Sequence, residues 1–138
     1  MSESREDWRS LESFSFGDNP ALAESLAQLV LAGTKTATCW PATEGAHTAV
    51  GKRMVMLDGA RRPRAIIETV ELVQRRFNHV DAAFAFDEGE GDRTLDSWRR
   101  AHRNYLSRVA HFAPDMMLWC ERFRVVGVIE TQPDSPDT

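Results

Sequence analysis

The sequence has no basic excess. Its 17 lysines and arginines are outnumbered by 21 aspartates and glutamates, and the formal net charge is -4. Proteins that coat nucleic acids without specificity carry a basic surplus, because their affinity depends on neutralising phosphates. The composition therefore excludes a general nucleic-acid coat. It leaves room for a local basic cleft, since arginines cluster within positions 61–64, 75–76 and 99–103.

Cysteine is also scarce, and long apolar runs are missing. The two cysteines, Cys39 and Cys120, each adjoin a tryptophan in an apolar stretch, which predicts free, buried thiols rather than a disulfide framework. No apolar run approaches the roughly 20 residues of a membrane helix, and no signal-peptide core is present. We therefore expect a cytoplasmic protein that does not associate with a membrane.

Several catalytic signatures are absent as well. The four histidines show no HExxH motif and no paired Cys/His spacing, so no zinc site is predicted. The sequence also lacks a GxSxG elbow, a P-loop and a dinucleotide fingerprint. We therefore expect no cofactor, and a divalent metal ion would take part only if the protein were a ribonuclease.

The sequence does have the balance of a globular domain. Of its 138 residues, 42% are hydrophobic and 28% are charged, and a chain of this length buries roughly two-thirds of its unfolded surface. We expect one domain over residues 13–130, preceded by an N-terminal extension over residues 1–12 and followed by a flexible tail over residues 131–138.

Helix and strand signals predict the fold class. One helix is predicted from the capping segment Asp18-Asn19-Pro20 to Gly33, and another is predicted to begin at Thr94. A single helical turn is predicted over residues 81–86, followed by an acidic loop over residues 87–92. Strands are predicted over residues 36–40, 54–57, 65–73, 116–119 and 123–129. This order has too few βα units for a doubly wound sheet and predicts an α+β fold around a small, largely antiparallel β-barrel with flanking helices.

The segment GTKTATCW, residues 33–40, places one lysine between the first helix and the next strand. Lys35 is either a surface lysine at a helix C-terminus, where the helix dipole favours a cation, or a partner of Thr38. In the second case burial would lower the lysine pKa, and the amine could then take the threonine proton. Residues three apart on a regular strand face opposite sides, whereas Thr36 would share a face with Thr38. Lys35 and Thr38 can therefore converge only if the strand is kinked or Lys35 belongs to the turn.

The acidic loop, residues 87–92, holds four carboxylates and two glycines. Three interpretations remain open. The loop could be a solvated surface segment, it could hold a hard cation such as Mg²⁺, or it could present one carboxylate that moves a proton or orients Lys35.

Aromatic and basic side chains suggest ligand contacts near these residues. Trp40 ends the lysine-bearing strand, where a nucleobase could stack on its ring, although tryptophan is more often a core residue. His102 lies close to Arg99 on the second long helix and could line a cleft.

Four segments in this order resemble the ASCH-domain family: FSFGDNP (residues 14–20), LVLAGTKTAT (29–38), EGEGDRTLDSWRRAH (88–102) and ERFRVVG (121–127). The likeness extends over residues 13–129 and is greatest to the longer, bacterial-type branch of predicted RNA-binding proteins. The resemblance implies a PUA-like β-barrel with flanking helices and a cleft for RNA or a nucleoside. Some members of the family are thought to bind RNA, one branch cleaves single-stranded RNA, and a shorter branch hydrolyses the amide of N4-acetylcytidine.

The resemblance also implies site residues. The amidohydrolase branch uses a lysine and a threonine from a KxxT motif, which match Lys35 and Thr38, and a glutamate from the acidic region. We assign that glutamate to Glu90, which stands nearest the following helix, and Glu88 is the alternative. The residues predicted to bind substrate are Thr36, Trp40, Glu88, Arg99 and His102.

Three functions are compatible with these observations. The first is an RNA-associated hydrolase that acts on single-stranded RNA or on a modified nucleoside such as N4-acetylcytidine. The second is a non-catalytic RNA-binding module. The third is a small-molecule sensor without an RNA partner.

Overall fold

The computed structural model describes residues 8–17 and 19–129. The first seven residues of the predicted N-terminal extension, the last residue of the predicted domain and the predicted tail, residues 131–138, therefore lie outside the described residues. The helices and strands are β1 (Ser13–Ser15), α1 (Pro20–Leu31), β2 (Ala37–Pro41), β3 (Arg53–Leu57), β4 (Pro63–Arg76), α2 (Ala82–Glu88), α3 (Leu95–Val109) and β5 (Met117–Val128).

The strands form one sheet in the order β1-β3-β4-β5-β2. The β1–β3 pair is parallel and the other three pairs are antiparallel. The predicted α+β class, with a mixed and largely antiparallel sheet and flanking helices, is confirmed. Two details of the prediction were wrong. β1 was not predicted, and the two strands expected over residues 116–119 and 123–129 are one continuous strand, β5.

The sheet is open, whereas the sequence predicts a small β-barrel. Within the described residues, no pairing joins β1 to β2, which are the two edges of the sheet. Residues of both edge strands line the same cavity, including Phe14 and Ser15 from β1 and Thr38 and Trp40 from β2. The gap between the edges is therefore the mouth of a cleft.

Helix α1 begins and ends as its sequence predicts. The Asn19 side-chain oxygen accepts a hydrogen bond from the Leu22 backbone N–H at 2.8 Å, and Pro20 occupies the first helical position. Gly33 follows the helix with a φ of +80°. One face of α1 packs on the sheet in a core of Phe16, Leu26, Ala27, Val30, Met56, Ala65, Ile67 and Phe123.

Helices α2 and α3 cover another part of the sheet. Asp81 caps α2 and Thr94 caps α3, and the second of these caps is the one that the sequence predicts. Helix α2 continues through Glu88, so Asp87 and Glu88 are helical and do not belong to the predicted loop. The core on this side consists of Ala37, Phe77, Val80, Phe84, Ala85, Trp98, Leu106, Leu118 and Cys120.

Two other predictions concern the thiols and the membrane. Cys39 and Cys120 are free thiols that lie opposite each other in β2 and β5, as the sequence predicts for their free state. Among the described helices, none combines the length and the apolar character needed to cross a bilayer.

Candidate functional site

Lys35 is buried at the centre of the candidate site, with 2% of its surface exposed. It lies between α1 and β2, outside the regular strand, as its convergence with Thr38 requires. Its ammonium group donates to Ala37 O at 2.8 Å, to Glu88 Oε1 at 3.0 Å and to Glu90 Oε2 at 2.8 Å. The interpretation of Lys35 as a surface lysine is therefore wrong.

Glu88 is the buried counter-ion of this lysine. Its second carboxylate oxygen, Oε2, accepts a hydrogen bond from Trp98 Nε1 at 3.1 Å and lies 3.5 Å from His102 Nε2. The His102 ring stacks on the Trp98 ring, with 4.3 Å between ring centroids. Because His102 Nδ1 is 3.0 Å from the Trp98 carbonyl, which can only accept, Nδ1 carries a proton. Lys35 thus binds one carboxylate oxygen of Glu88, and Trp98 and His102 of α3 contact the other.

Glycine at position 89 permits this arrangement. Gly89 has a φ of +73°, in the left-handed region, and caps the C-terminus of α2. A Cβ atom at this position would lie 2.4 Å from the Thr34 carbonyl oxygen. Only glycine therefore allows the end of α2 to approach the segment that carries Lys35.

The charges of this cluster reinforce one another. Burial by itself would lower the pKa of Lys35, but the carboxylates of Glu88 and Glu90 outweigh it, and the lysine pKa is raised. Burial would raise the pKa of Glu88, but Lys35 and His102 hold it well below its usual range. Burial would lower the pKa of His102, but Glu88 raises it overall. The expected lowering of the Lys35 pKa is thus not found, and Lys35 is an ammonium ion at neutral pH.

Thr38 faces a cavity that contains this charged cluster. The cavity has a volume of about 240 Å³, and Lys35, Thr38, Glu88, Glu90 and His102 are among the residues that line it. Thr38 is half-buried, and its hydroxyl has no hydrogen-bond partner among the described residues. Glu90, with 31% of its side chain exposed, is the more accessible of the two carboxylates that bind Lys35.

A second cavity of about 260 Å³ continues from the first. Phe16, Gly17, Thr38, Cys39 and Tyr105 line both. We call the two together the cleft, with a lysine half around Lys35 and a glutamate half around Glu121. The glutamate half also contains Phe14, Trp40, Met54, Ile67 and Thr69.

The residues predicted to bind substrate lie in different places: some line the lysine half of the cleft, one lines the glutamate half, and two lie outside the cleft. Glu88 and His102 line the lysine half, and Trp40 lines the glutamate half. The Trp40 ring is 8% exposed and already stacks on His47 at 4.9 Å. Thr36 and Arg99 line neither half of the cleft. The Thr36 hydroxyl contacts the Asp87 carbonyl at 3.4 Å, and the Arg99 Nε is a buried donor without a partner among the described residues.

Three possible metal ligands meet beside Lys35. One ligand atom each from Cys39, Glu88 and His102 lie within 4.8 Å of one another. Burial raises the pKa of the Cys39 thiol well above its usual value, and Glu88 adds to this effect, so the sulfur is a neutral and weak ligand. Glu88 already accepts hydrogen bonds at both oxygens, and the Lys35 ammonium would repel a cation. These residues fit a hydrogen-bonded cluster better than a metal site.

Sequence reasoning missed Glu121 as a site residue. Glu121 lies directly opposite Thr38 in the antiparallel register of β5 and β2, so both side chains lie on the same face of the sheet. Its side chain is 6% exposed. The available signal was its position between Trp119 and Phe123 at a spacing of two, where a strand with one apolar face is not expected to carry a charge.

The family of the chain follows from its sequence and its fold. The family model of the ASCH domain matches residues 12–127. The chain belongs to the ASCH-domain family, as the resemblance of its four segments predicted. This is a PUA-like family generally thought to bind RNA. No curated protein matches the chain significantly.

Two solved structures resemble this one closely. The crystal structure of an ASCH domain from Lactobacillus crispatus JV V101 has 33% sequence identity and a TM-score of 0.80, over 92% of this chain and 86% of that chain. The crystal structure of protein EF3133 from Enterococcus faecalis V583 has 34% identity and a TM-score of 0.74, over 85% of this chain and 77% of that chain.

Proposed function

We propose that the cleft binds RNA or a modified nucleoside, and that Thr38, Lys35 and Glu90 hydrolyse an amide bond such as that of N4-acetylcytidine. The observation that carries the proposal is the position of Thr38 in one cavity with a buried ammonium ion and a half-exposed carboxylate. The RNA part of the proposal follows from the ASCH-domain family, which is generally thought to bind RNA.

The charge of Lys35 determines which group can act as the base. An ammonium ion has no lone pair, so it cannot take the proton of Thr38. We assign the proton to Glu90, because Glu88 is fully buried and both of its oxygens are occupied. Threonine is a weak nucleophile until an adjacent base accepts its proton.

The electrostatic part of the reaction belongs to Lys35. As the Thr38 oxygen bonds to the acyl carbon, negative charge develops on the carbonyl oxygen, and a buried cation stabilises it strongly. The neutral, protonated Glu90 holds the ammonium less tightly, which frees one N–H for this oxygen. Collapse of the adduct breaks the C–N bond, and Glu90 returns its proton to the leaving amine. Water then cleaves the acyl-threonine ester, with Glu90 again as the base.

The experiment is mass spectrometry of a short single-stranded RNA containing N4-acetylcytidine, after incubation with wild type, Thr38→Val and Thr36→Val. Valine keeps the shape of threonine and removes the hydroxyl. Thr36→Val is the matched control, because Thr36 lies two residues away and outside the cleft. We expect deacetylated RNA with wild type and with Thr36→Val, and at least a hundredfold less with Thr38→Val. Equal deacetylation by all three proteins would overturn the proposed role of Thr38.

A second candidate is a non-catalytic RNA-binding module. The observation that favours it is that Ala37, Glu88 and Glu90 engage all three protons of Lys35, as in a purely structural ion-pair network. RNA that stays intact and acetylated, but binds with an affinity that falls steeply with salt, would support this function. A shortened RNA would instead assign the protein to ribonuclease chemistry.

A further inference from the structure

Glu121 carries a buried carboxyl group without a counter-ion among the described residues. Its Oε2 atom accepts a hydrogen bond from the Thr69 hydroxyl at 2.6 Å. Its other oxygen, Oε1, has no hydrogen-bond partner among the described residues, and no ion pair to Glu121 is found there either. Burial raises the pKa of Glu121, while the Thr69 hydroxyl and the more distant charge of Lys35 offset this only in part.

A polar chain fixes the orientation of this carboxyl group. Thr69 has one hydroxyl proton, which it donates to Glu121. The hydrogen bond of 2.8 Å between Thr48 and Thr69 must therefore be donated by Thr48. Thr48 and Thr69 are both buried. The Thr69 hydroxyl, itself oriented by Thr48, thus occupies one acceptor position of Oε2. Oε1 and the second lone pair of Oε2 are left for groups inside the cleft.

Several apolar side chains stand in the walls around Glu121, beside the polar ones. Phe14, Trp40, Met54 and Ile67 line the same cavity. Its volume of about 260 Å³ lies just below the range of about 300–1,000 Å³ that is typical of small-molecule pockets. A flat, polar-edged ring suits such a space better than a flexible chain, because it offers two faces to the walls and one edge to the carboxylate.

We propose that the glutamate half of the cleft binds a planar heterocycle with two adjacent N–H donors, the edge that guanine presents among the four RNA bases, and that the Glu121 carboxylate reads these donors. The proposal goes beyond the proposed function and rests on it only in supposing that the ligand derives from RNA. In a single-stranded RNA, the lysine half would then hold the neighbouring nucleotide.

Guanine is selected by the ionised form of the Glu121 carboxyl group. Two bound N–H donors favour this form over the neutral one, against the effect of burial. A carboxylate has only acceptor positions. Guanine places a ring N–H beside an exocyclic amino group, so both donors can point at Glu121. Adenine and cytosine place a ring nitrogen acceptor beside the amino group, and uracil flanks one N–H with two carbonyl groups. Each of these edges sets at least one lone pair against the carboxylate, and buried polar groups that remain unpaired reduce affinity strongly.

The test is isothermal titration calorimetry at pH 8 with guanosine, inosine, adenosine and cytidine. Inosine is the decisive probe, because it has the shape of guanosine and lacks only the exocyclic amino group. Wild type is expected to bind guanosine at least tenfold more tightly than each of the other three. In Glu121→Gln, guanosine affinity is expected to fall at least tenfold and inosine affinity by less than threefold, because the amide replaces one acceptor with a donor.

The control variant is Glu44→Gln, which removes a carboxylate at the exposed rim of the same cavity. It is expected to keep the preference for guanosine, and thermal melting shows whether each variant is folded. Equal binding of guanosine and inosine to wild type, stronger binding of adenosine or cytidine, or no binding of any nucleoside at millimolar concentration would each overturn the proposal. Retention of the preference in a folded Glu121→Gln variant would overturn it as well.

Failure of this inference can be separated from failure of the proposed function. If guanosine binds as expected while the RNA neither binds nor reacts and free N4-acetylcytidine is not hydrolysed, the proposed function fails and the inference stands. If the acetylated RNA is processed in a Thr38-dependent way while wild type binds guanosine and inosine equally, the inference fails alone.

Discussion

The Lys35 Nζ atom lies 3.0 Å from Glu88 Oε1 in an ion pair in which both side chains are almost completely buried, although 53 positions separate the two residues in the chain. This pair joins the segment after α1 to the end of α2. It places an ammonium ion at the wall of a cleft. The same ion can stabilise the fold and also the negative charge that develops during the proposed reaction.

Replacement of Lys35 by methionine should destabilise the protein strongly. The change leaves the Glu88 carboxylate buried without its cation, and breaking a buried pair in this way costs about 3–5 kcal/mol. The control is Lys52→Met, which removes the exposed Lys52–Glu12 pair and should cost less than about 1 kcal/mol. Urea unfolding of the three proteins measures both changes. Equal losses in the two variants would show that the buried pair contributes no more than a surface one.

Alanine at position 89 should separate the cost of a close contact from the cost of backbone conformation. Gly89→Ala puts a Cβ atom 2.4 Å from the Thr34 carbonyl oxygen. Gly33, which follows the C-cap of α1, has a similarly positive φ of 80°, but a Cβ atom there would meet nothing within 4 Å. Gly33→Ala should therefore lose only about 1–2 kcal/mol of unfolding free energy from backbone strain. Gly89→Ala should lose more, and a loss no larger than that of Gly33→Ala would contradict the steric argument.

The hydrogen bond from Trp98 to Glu88 should be worth more than that from Trp40 to Gly45. Trp98→Phe removes a donor to a buried carboxylate, and Trp40→Phe removes a donor to a neutral carbonyl at 2.8 Å. Hydrogen bonds to charged groups contribute about 1.5–3 kcal/mol, and neutral ones about 0.5–1.5 kcal/mol. Both variants lose a similar ring area. The difference between their unfolding free energies therefore measures how much the charge of the acceptor strengthens the hydrogen bond. A larger loss for Trp40→Phe would refute this ranking.

Stability should depend on pH through His102. Burial lowers the pKa of His102, but the Glu88 carboxylate outweighs it and raises the folded pKa above the ordinary value of 6.5. The charged His102 therefore stabilises the fold fully below about pH 6.5, and this stabilisation is lost as the pH rises through the pKa of His102 in the folded protein. The difference in unfolding free energy between wild type and His102→Gln should shrink from pH 5.5 to pH 9. A difference that stays constant or grows over this range would show that the His102 charge does not stabilise the fold.

Acid should weaken the same cluster at a lower pH through Glu88. Burial raises the pKa of Glu88, but Lys35 and His102 hold it well below its ordinary value of 4.5. The ionised Glu88 therefore stabilises the fold fully above about pH 4.5. This stabilisation is lost as the pH falls through the lower pKa of Glu88 in the folded protein. Unfolding free energies of wild type and Glu88→Gln should therefore converge below pH 4. Divergence of the two curves in acid would contradict this assignment.

Local signals allowed much of the fold to be predicted. Asn19, Pro20 and Gly33 mark the ends of α1, and Thr94 marks the start of α3, because caps depend on residues within one turn. Glu121 and Arg122 lie between the two strands that the sequence predicts over residues 116–119 and 123–129, and both interrupt the apolar pattern. In the structure Arg122 pairs with Glu71 and Asp87, and Glu121 faces the cleft, so both charges are accommodated within one strand.

The amino-acid sequence by itself determined the caps of α1 and α3, the order of most helices and strands, and the family. These features rest on neighbouring residues or on whole motifs. The tertiary structure alone decided that Lys35 is a buried ammonium ion, that the sheet stays open between β1 and β2, and that Glu121 stands opposite Thr38. A pKa depends on burial and on charges brought from distant positions, and a cleft depends on which strand edges remain unpaired. Neither is encoded in any local stretch of the chain.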